Sequence, residues 1–185
     1  MKFKSNLAAL LLNDPYRLRL LKIVATLSLP DCWIGAGFVR NTVWDAIHGF
    51  ASRPHLSDID VIWFDSTRCD SGIDQELESL LMTMDSTVQW SVKNQSRMHS
   101  KNGDKAYQSS TDAMRFWPET ATAIGVRWEE NEGIQITAPY GLDDLYEGVI
   151  RPTPRYQVEK KQIMENRVVA KNWLQLWPKL RMVPW

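Results

Sequence analysis

Residues 58–65 read Asp-Ile-Asp-Val-Ile-Trp-Phe-Asp, and these eight residues limit the fold most tightly. Successive side chains of a strand point to opposite faces. Ile59, Val61 and Trp63 therefore share one face, and Asp60, Ile62 and Phe64 the other. Apolar residues on both faces mean that both are largely covered, so this strand belongs inside a sheet with elements packed around it. Its first turn of side chains is the exception. Asp58 and Asp60 are two apart, so a strand directs both carboxylates to one side.

The neighbouring segments supply the packing elements. Asp14-Pro15 is an N-cap and first helical residue, followed by apolar positions at helical spacing towards Leu27. Cys32–Ile34 is a short strand, and Gly35-Ala36-Gly37 a small-residue turn. A second helix is expected from Phe38 to Ile47, stopped by Gly49. Ser71-Gly72-Ile73-Asp74 has the form of a capping box, ahead of a helix carrying Leu77, Leu80 and Leu81. Val88, Trp90 and Val92 alternate as a further strand. Residues 94–119 are polar, with one short helix expected around Asp112–Phe116. Ala121–Trp128 and Ile134–Thr137 read as a hairpin turning at Gly133. Leu142–Tyr146 is a short helix candidate. A last helix over about 157–176 would place Ile163, Val169, Trp173 and Leu176 on one broad face, packed on the core. The expected architecture is α/β (α+β): a mixed sheet packed with helices, in one domain spanning 1–185.

Composition narrows the functional classes. Lysine plus arginine equals aspartate plus glutamate at 22 each, a net charge of +0, which disfavours a strongly basic module for long nucleic acid. Residues 151–185 carry eight basic and two acidic side chains, so one local patch of +6 remains. Cys32 and Cys69 lie in no paired motif and read as free thiols of a reducing, cytoplasmic compartment. The basic start and short apolar run at the N-terminus meet Asp14-Pro15 too soon for a secretion signal, and no 18-residue apolar run predicts a membrane span. The three histidines have no close ligand spacing, which argues against a histidine zinc site.

The chemistry-bearing residues cluster around the aspartate pair. Two carboxylates held together repel unless a cation neutralises them, and oxygen donors of this kind suit magnesium, with manganese as a substitute. The alternative is that Asp58 caps a turn and Asp60 faces solvent. Gly35 and Gly37 permit close backbone approach, and the following helix N-terminus offers free amides to an anion. Arg40, one turn into that helix, carries a donor fork suited to phosphate. Lys93 and Arg97 are candidates for triphosphate charge, Asn94 and Gln95 for a base edge, and His99 for proton transfer. The same stretch also reads as a solvated loop bonded to its own backbone. Trp117 and Tyr140 are candidates to stack a base or to seal loops on the core.

Alanine-Gly37-Phe38-Val39-Arg40-Asn41, followed by the Asp58–Val61 segment, resembles the nucleotidyltransferase superfamily that includes DNA polymerase beta and the tRNA CCA-adding enzymes. The latter carry G-G-x-V-R-D and then D-x-D. Here Ala36 stands in place of the first glycine and Asn41 in place of the aspartate. A wider match, through LPDCWIGAGFVRNTVWD, LSDIDVIWFD, WSVKNQSRMH, WPETATAIGVR, APYGLDDLY and RPTP, resembles a bacterial family of nucleotidyltransferase-like proteins over nearly residues 20–180. The resemblance implies a mixed-sheet core and metal-dependent transfer of a nucleoside monophosphate from an NTP to an acceptor hydroxyl. The acceptor is a small molecule, a protein side chain or an RNA end. Asp58 and Asp60 would hold the metal, and Gly35, Gly37, Arg40, Lys93 and Arg97 the nucleotide. Superfamily enzymes often carry a third carboxylate on a later strand. The 88–93 segment has none, which leaves Asp65, Asp85, Glu119, Asp143 and Asp144 as substitutes. It also leaves a second reading, a catalytically inactive nucleotide-binding regulatory protein. A third is an RNA or protein interaction module built on the basic C-terminal segment.

Overall fold

The computed structural model describes residues 2–51 and 58–184; His55 and the polar segment around it lie outside the described residues. The chain opens with helix α1 (Lys2–Leu12), formed where the sequence shows only a short apolar run. Leu7 and Leu11, one turn apart, are fully buried and make it part of the core. Asp14 caps α2 (Pro15–Ala25), its carboxylate accepting from the Arg17 amide at 3.0 Å. Strand β1 (Trp33–Gly35) leads through Ala36 into α3 (Gly37–His48), which stops at Gly49 in the left-handed conformation. Strand β2 (Ile59–Trp63) holds the aspartate segment.

Helix α4 (Ser71–Met84) follows, but not through the expected capping box. Asp70 is the cap, accepting from the Gly72 amide, and Asp74 is buried under the sheet. Strand β3 (Trp90–Asn94) runs into a tight turn (Gln95–Arg97), α5 (Met98–Asn102) and α6 (Ser110–Met114). The hairpin consists of β4 (Gly125–Glu129) and β5 (Gly133–Thr137). It starts later than expected, because residues 121–124 are folded in turns, with Thr122 and Ala123 amides on the Glu119 carbonyl. The remainder is α7 (Asp143–Tyr146), β6 (Val149–Ile150), α8 (Pro154–Gln157), α9 (Lys161–Lys171), α10 (Trp173–Leu176) and β7 (Arg181–Met182).

The main sheet has the order β3-β2-β1-β4-β5, and β6 and β7 form a separate parallel pair. β2 and β3 are parallel; the other neighbours in the main sheet are antiparallel. The protein is therefore a mixed α/β structure with helices against a central sheet. Ile59, Val61 and Trp63 join the main core with Leu7, Leu20 and Val39. Ile62 faces the other way, into a small cluster with Trp33, Met114 and Ala123. Asp60 shares the Ile62 face.

The long C-terminal helix expected over 157–176 is divided. Asn172 sits at φ 51°, a left-handed conformation that asparagine tolerates better than most residues, and it ends α9. This resets the helical phase. Met164, Val168, Trp173 and Trp177 are buried, whereas Ile163, Val169 and Leu176 are exposed. Trp173 and Trp177 meet the edge of Trp44 at centroid distances of 5.5 and 5.3 Å, and the Trp177 indole donates to Asp45 at 2.8 Å. The end of the chain is thus fastened to α3.

If α1 contributes to the core as its burial shows, Leu7→Ala lowers unfolding stability by about 2–5 kcal/mol, the range for a buried leucine that leaves a cavity. A denaturant midpoint within error of the parent protein would contradict this.

Candidate active site

The site begins with strand register. Trp33 pairs with Ile62 and Ile34 with Val61. The same antiparallel register, carried one residue further, sets Gly35 across from Asp60. On the other side Asp60 pairs with Ser91 of β3. The small-residue turn therefore starts next to the aspartate. Ala36, Asp60, Ser91, Lys93, Trp117 and Arg167 line one open cavity of about 260 Å³. Its floor is the sheet face that bears the small apolar cluster.

Asp60 is the electrostatically loaded group. Burial, and then the charge of Asp58, push its carboxyl up to about 6. Arg40, Arg167 and Lys171 pull the other way. Asp58 lies just before β2 and is exposed. Asp58 does not line the cavity but is near enough for its charge to act on Asp60, and a carboxylate held above its ordinary range is a hard-oxygen donor that a divalent cation would neutralise. Among the described residues, no group of three or more His, Cys, Asp or Glu side chains is placed to hold a metal.

The turn is strained. Ala36 adopts φ 52°, ψ −125°, a conformation suited to glycine, and it supplies no side-chain cap to α3. Ala36 therefore has no side-chain acceptor to offer the start of this 12-residue helix, and it lines the cavity. Gly35 is needed for a different reason. A Cβ there would lie 3.0 Å from the Trp117 ring and 3.2 Å from the Ile124 carbonyl oxygen. The indole thus lies directly against the strand and forms a cavity wall.

The expected phosphate cations are already engaged. Arg40 is buried, and burial draws its guanidinium down to about 10, so it remains charged at neutral pH. It donates to Asn41 Oδ1 at 3.2 and 3.0 Å and to Thr122 Oγ1 at 3.0 Å, and lies 4.5 Å from the Trp173 ring and 5.2 Å from that of Trp44. Lys93 lines the cavity, but its ammonium donates to Glu78 at 2.6 Å and to the Val92 carbonyl at 2.8 Å. Arg97 pairs with buried Asp74, which also receives the Trp63 indole at 2.9 Å and the Asn94 amide at 3.1 Å. Asn94 spends its side chain on the Asp65, Arg68 and Ser96 backbone. Gln95 reaches the cavity while donating to the Lys93 carbonyl, and His99 Nδ1 pairs with the Ser96 carbonyl at 2.9 Å. Tyr140 does not line this cavity; its hydroxyl donates to the Arg115 carbonyl.

Four of the five candidate third carboxylates are also spoken for, and the fifth, Asp143, is exposed in the first turn of α7 and does not line the cavity. Asp65 accepts from Thr67, Asp85 pairs with Arg19, and Asp144 accepts from Thr120 and Arg151. Glu119 is 1% exposed and accepts from Arg167 at 2.5 Å. Arg167 and Lys171 were not singled out individually in the sequence. Their signal was present as two cations at i, i+4 in the basic segment, but helical spacing cannot reveal that this face turns towards Asp60.

A small-residue turn and helix N-terminus beside the aspartate-bearing strand of a mixed sheet is the arrangement of a nucleotidyltransferase fold, an NTP-using class. A family model described as nucleotidyltransferase matches residues 22–182, and the chain belongs to that family. An NMR structure described as a CCA-adding enzyme head domain is similar at 33% identity and a TM-score of 0.86, over 98% of this chain and 96% of that one. A CCA-adding enzyme in complex with CTP matches at 16% identity and a TM-score of 0.64, over 96% of this chain and 43% of that one. The Thermotoga maritima CCA-adding enzyme complexed with tRNA matches at 17% and 0.61, over 96% and 42%. The chain thus spans about two fifths of these two longer enzymes, and at such identities they share its fold. No curated protein matches it. No helix among the described residues is long and apolar enough to cross a membrane.

Two stability predictions follow from the strained turn and the loaded carboxylate. Ala36→Gly relieves the positive φ, and the gain exceeds the added unfolded-state entropy by about 1 kcal/mol, raising Tm by about 2–4 °C. A lower Tm would show that the turn is relaxed. For Asp60 the folded-state pKa is raised, so its contribution is intact below the unfolded value and is lost as pH climbs through about 6. Metal-free Asp60→Asn is therefore expected to be more stable than the parent at pH 7.5, by on the order of 2–3 kcal/mol, with the difference closing towards pH 4. Unfolding midpoints across that range, in chelator, check this; a constant difference would contradict it.

Proposed function

We propose that the protein transfers a nucleoside monophosphate from an NTP to an acceptor hydroxyl, with Asp58 and Asp60 as the metal-holding carboxylates. The observation that carries this reading is the Asp60 carboxylate, pushed up to about 6 beside Asp58 in a cavity bordered by the Ala36 turn. The acceptor oxygen bonds to the α-phosphorus, the bond to the β-phosphate oxygen breaks, and pyrophosphate leaves with that electron pair. The hydroxyl proton is lost to water. Magnesium or manganese bound by the pair would supply neutralisation of charge on the transferring phosphate. Amides of the Gly37 turn face the anion, and Trp117 bounds the space for the base. Arg40 acts from behind, holding α3 in place and adding positive potential at Asp60.

The family resemblance supports the reaction class, with a small molecule, a protein side chain or an RNA end as the acceptor. A nucleotide-binding regulatory role is the second reading. It is favoured by the two-carboxylate donor set, since among the described residues no third ligand joins the pair. Pyrophosphate release across the four NTPs, with a panel of acceptors and magnesium or manganese, separates the two. The expected result is release by the parent protein and loss of at least about 100-fold in Asp60→Asn, for a residue whose charge is needed in the transition state. Tight nucleotide binding without release would favour the regulatory reading.

A further inference from the structure

We infer that helix α9 supplies a cationic clamp, Arg167 with Lys171, for the polyphosphate tail of the substrate nucleotide. The inference rests on the reading of the site given above and names the part of the molecule that receives the charge. An NTP brings several negative charges into a cavity that already contains Asp60, so cations must face it. Arg97 pairs with Asp74, Lys93 with Glu78, and Arg40 is buried between tryptophans. Arg167 lines the same cavity as Asp60. Its Nε and Nη2 are held by Glu119 at 2.5 and 3.4 Å, and its side chain retains 27% exposure. Nη1 has no partner among the described residues.

Glu119 has the features of a positioning group. It is 1% exposed, its backbone is anchored against Pro152, and it grips two nitrogens of one fork. That grip fixes the guanidinium plane and leaves the remaining nitrogen for an incoming anion. Trp173, 5.4 Å from Arg167, limits the side chain from another side. Lys171 lies one turn on, on the same helical face, and is exposed. Both charges are felt at Asp60. The clamp also accounts for part of the +6 balance of residues 151–185 without an RNA surface.

The test is binding, measured calorimetrically with inorganic tripolyphosphate, the four NTPs and the matching nucleosides, in magnesium. Lys171→Ala alters an exposed side chain and leaves the core intact. Arg167→Met is combined with Glu119→Gln, so that no buried carboxylate is left unpaired. Lys171→Ala is expected to weaken tripolyphosphate and NTP binding about threefold, and the double variant about tenfold or more, with nucleoside binding unchanged. Should the double variant fail to fold, Lys171→Ala alone decides. Parent-like tripolyphosphate and NTP affinity in the folded variants overturns the clamp and leaves the reading of the site standing. Equal losses for NTP and nucleoside also overturn it, as they mark a structural role. If the parent protein itself binds neither tripolyphosphate nor any NTP, the reading of the site fails, and the clamp with it.

Discussion

The buried guanidinium of Arg40 joins three regions that are distant in sequence. It stands on α3, directly after the small-residue turn; it lies against Trp44 and Trp173; and it bonds Thr122 in the turns before β4. A buried cation is costly unless its donors are satisfied and opposite charge is near. Asn41 and Thr122 meet the first requirement, and the charges of Glu119 and Asp60 meet the second. The position of α3, the seating of the C-terminal segment and the potential at the aspartate are therefore set together. Asn41, which stands where the resembling segment has an aspartate, is one of the groups that receive the fork.

The charges around the cavity form an alternating set. Asp60 and Glu119 are negative, while Arg40 and Arg167 are positive, with Lys171 nearby. Yet the positive side does not silence Asp60, since burial and Asp58 outweigh it and the carboxyl is still displaced upwards. The site thus keeps an uncompensated demand for positive charge at the aspartate pair and a positive flank on α9. On the proposed reading, a divalent cation with an attached polyphosphate would meet both demands, whereas either alone would meet one.

Much of the fold was legible because its signals are local. The alternation in Ile59–Trp63 assigned the two faces of β2, and Asp14-Pro15 and Gly49 marked helix ends by capping chemistry. Helix α1 was missed because its two buried leucines, Leu7 and Leu11, give too brief a periodic signal without a capped start. The capping box at Ser71 failed for a tertiary reason: Asp74 is drawn under the sheet by the Trp63 indole, the Asn94 amide and Arg97. The C-terminal helix is shorter than its spacing suggests because burial of Trp173 and Trp177 offsets the left-handed turn at Asn172, which spacing cannot foresee.

The candidate site divides along the same line. Asp58, Asp60 and the 35–37 turn are close in sequence or linked by one strand register, so their nearness can be read from the pattern. Lys93 and Arg97 bear the right charge, but their engagement depends on Glu78 and Asp74 of α4, which sequence spacing does not place. Arg167 is the converse, a helix residue without a distinguishing pattern that gains its role only when the turns at 119–124 and the bridge to Pro152 bring Glu119 against it. A carboxylate pair is set by backbone geometry and can be read at a distance of two residues. A polyphosphate clamp of the kind proposed is set by which cations keep a donor free after folding, and that quantity exists only once every acid in the structure has chosen its partner.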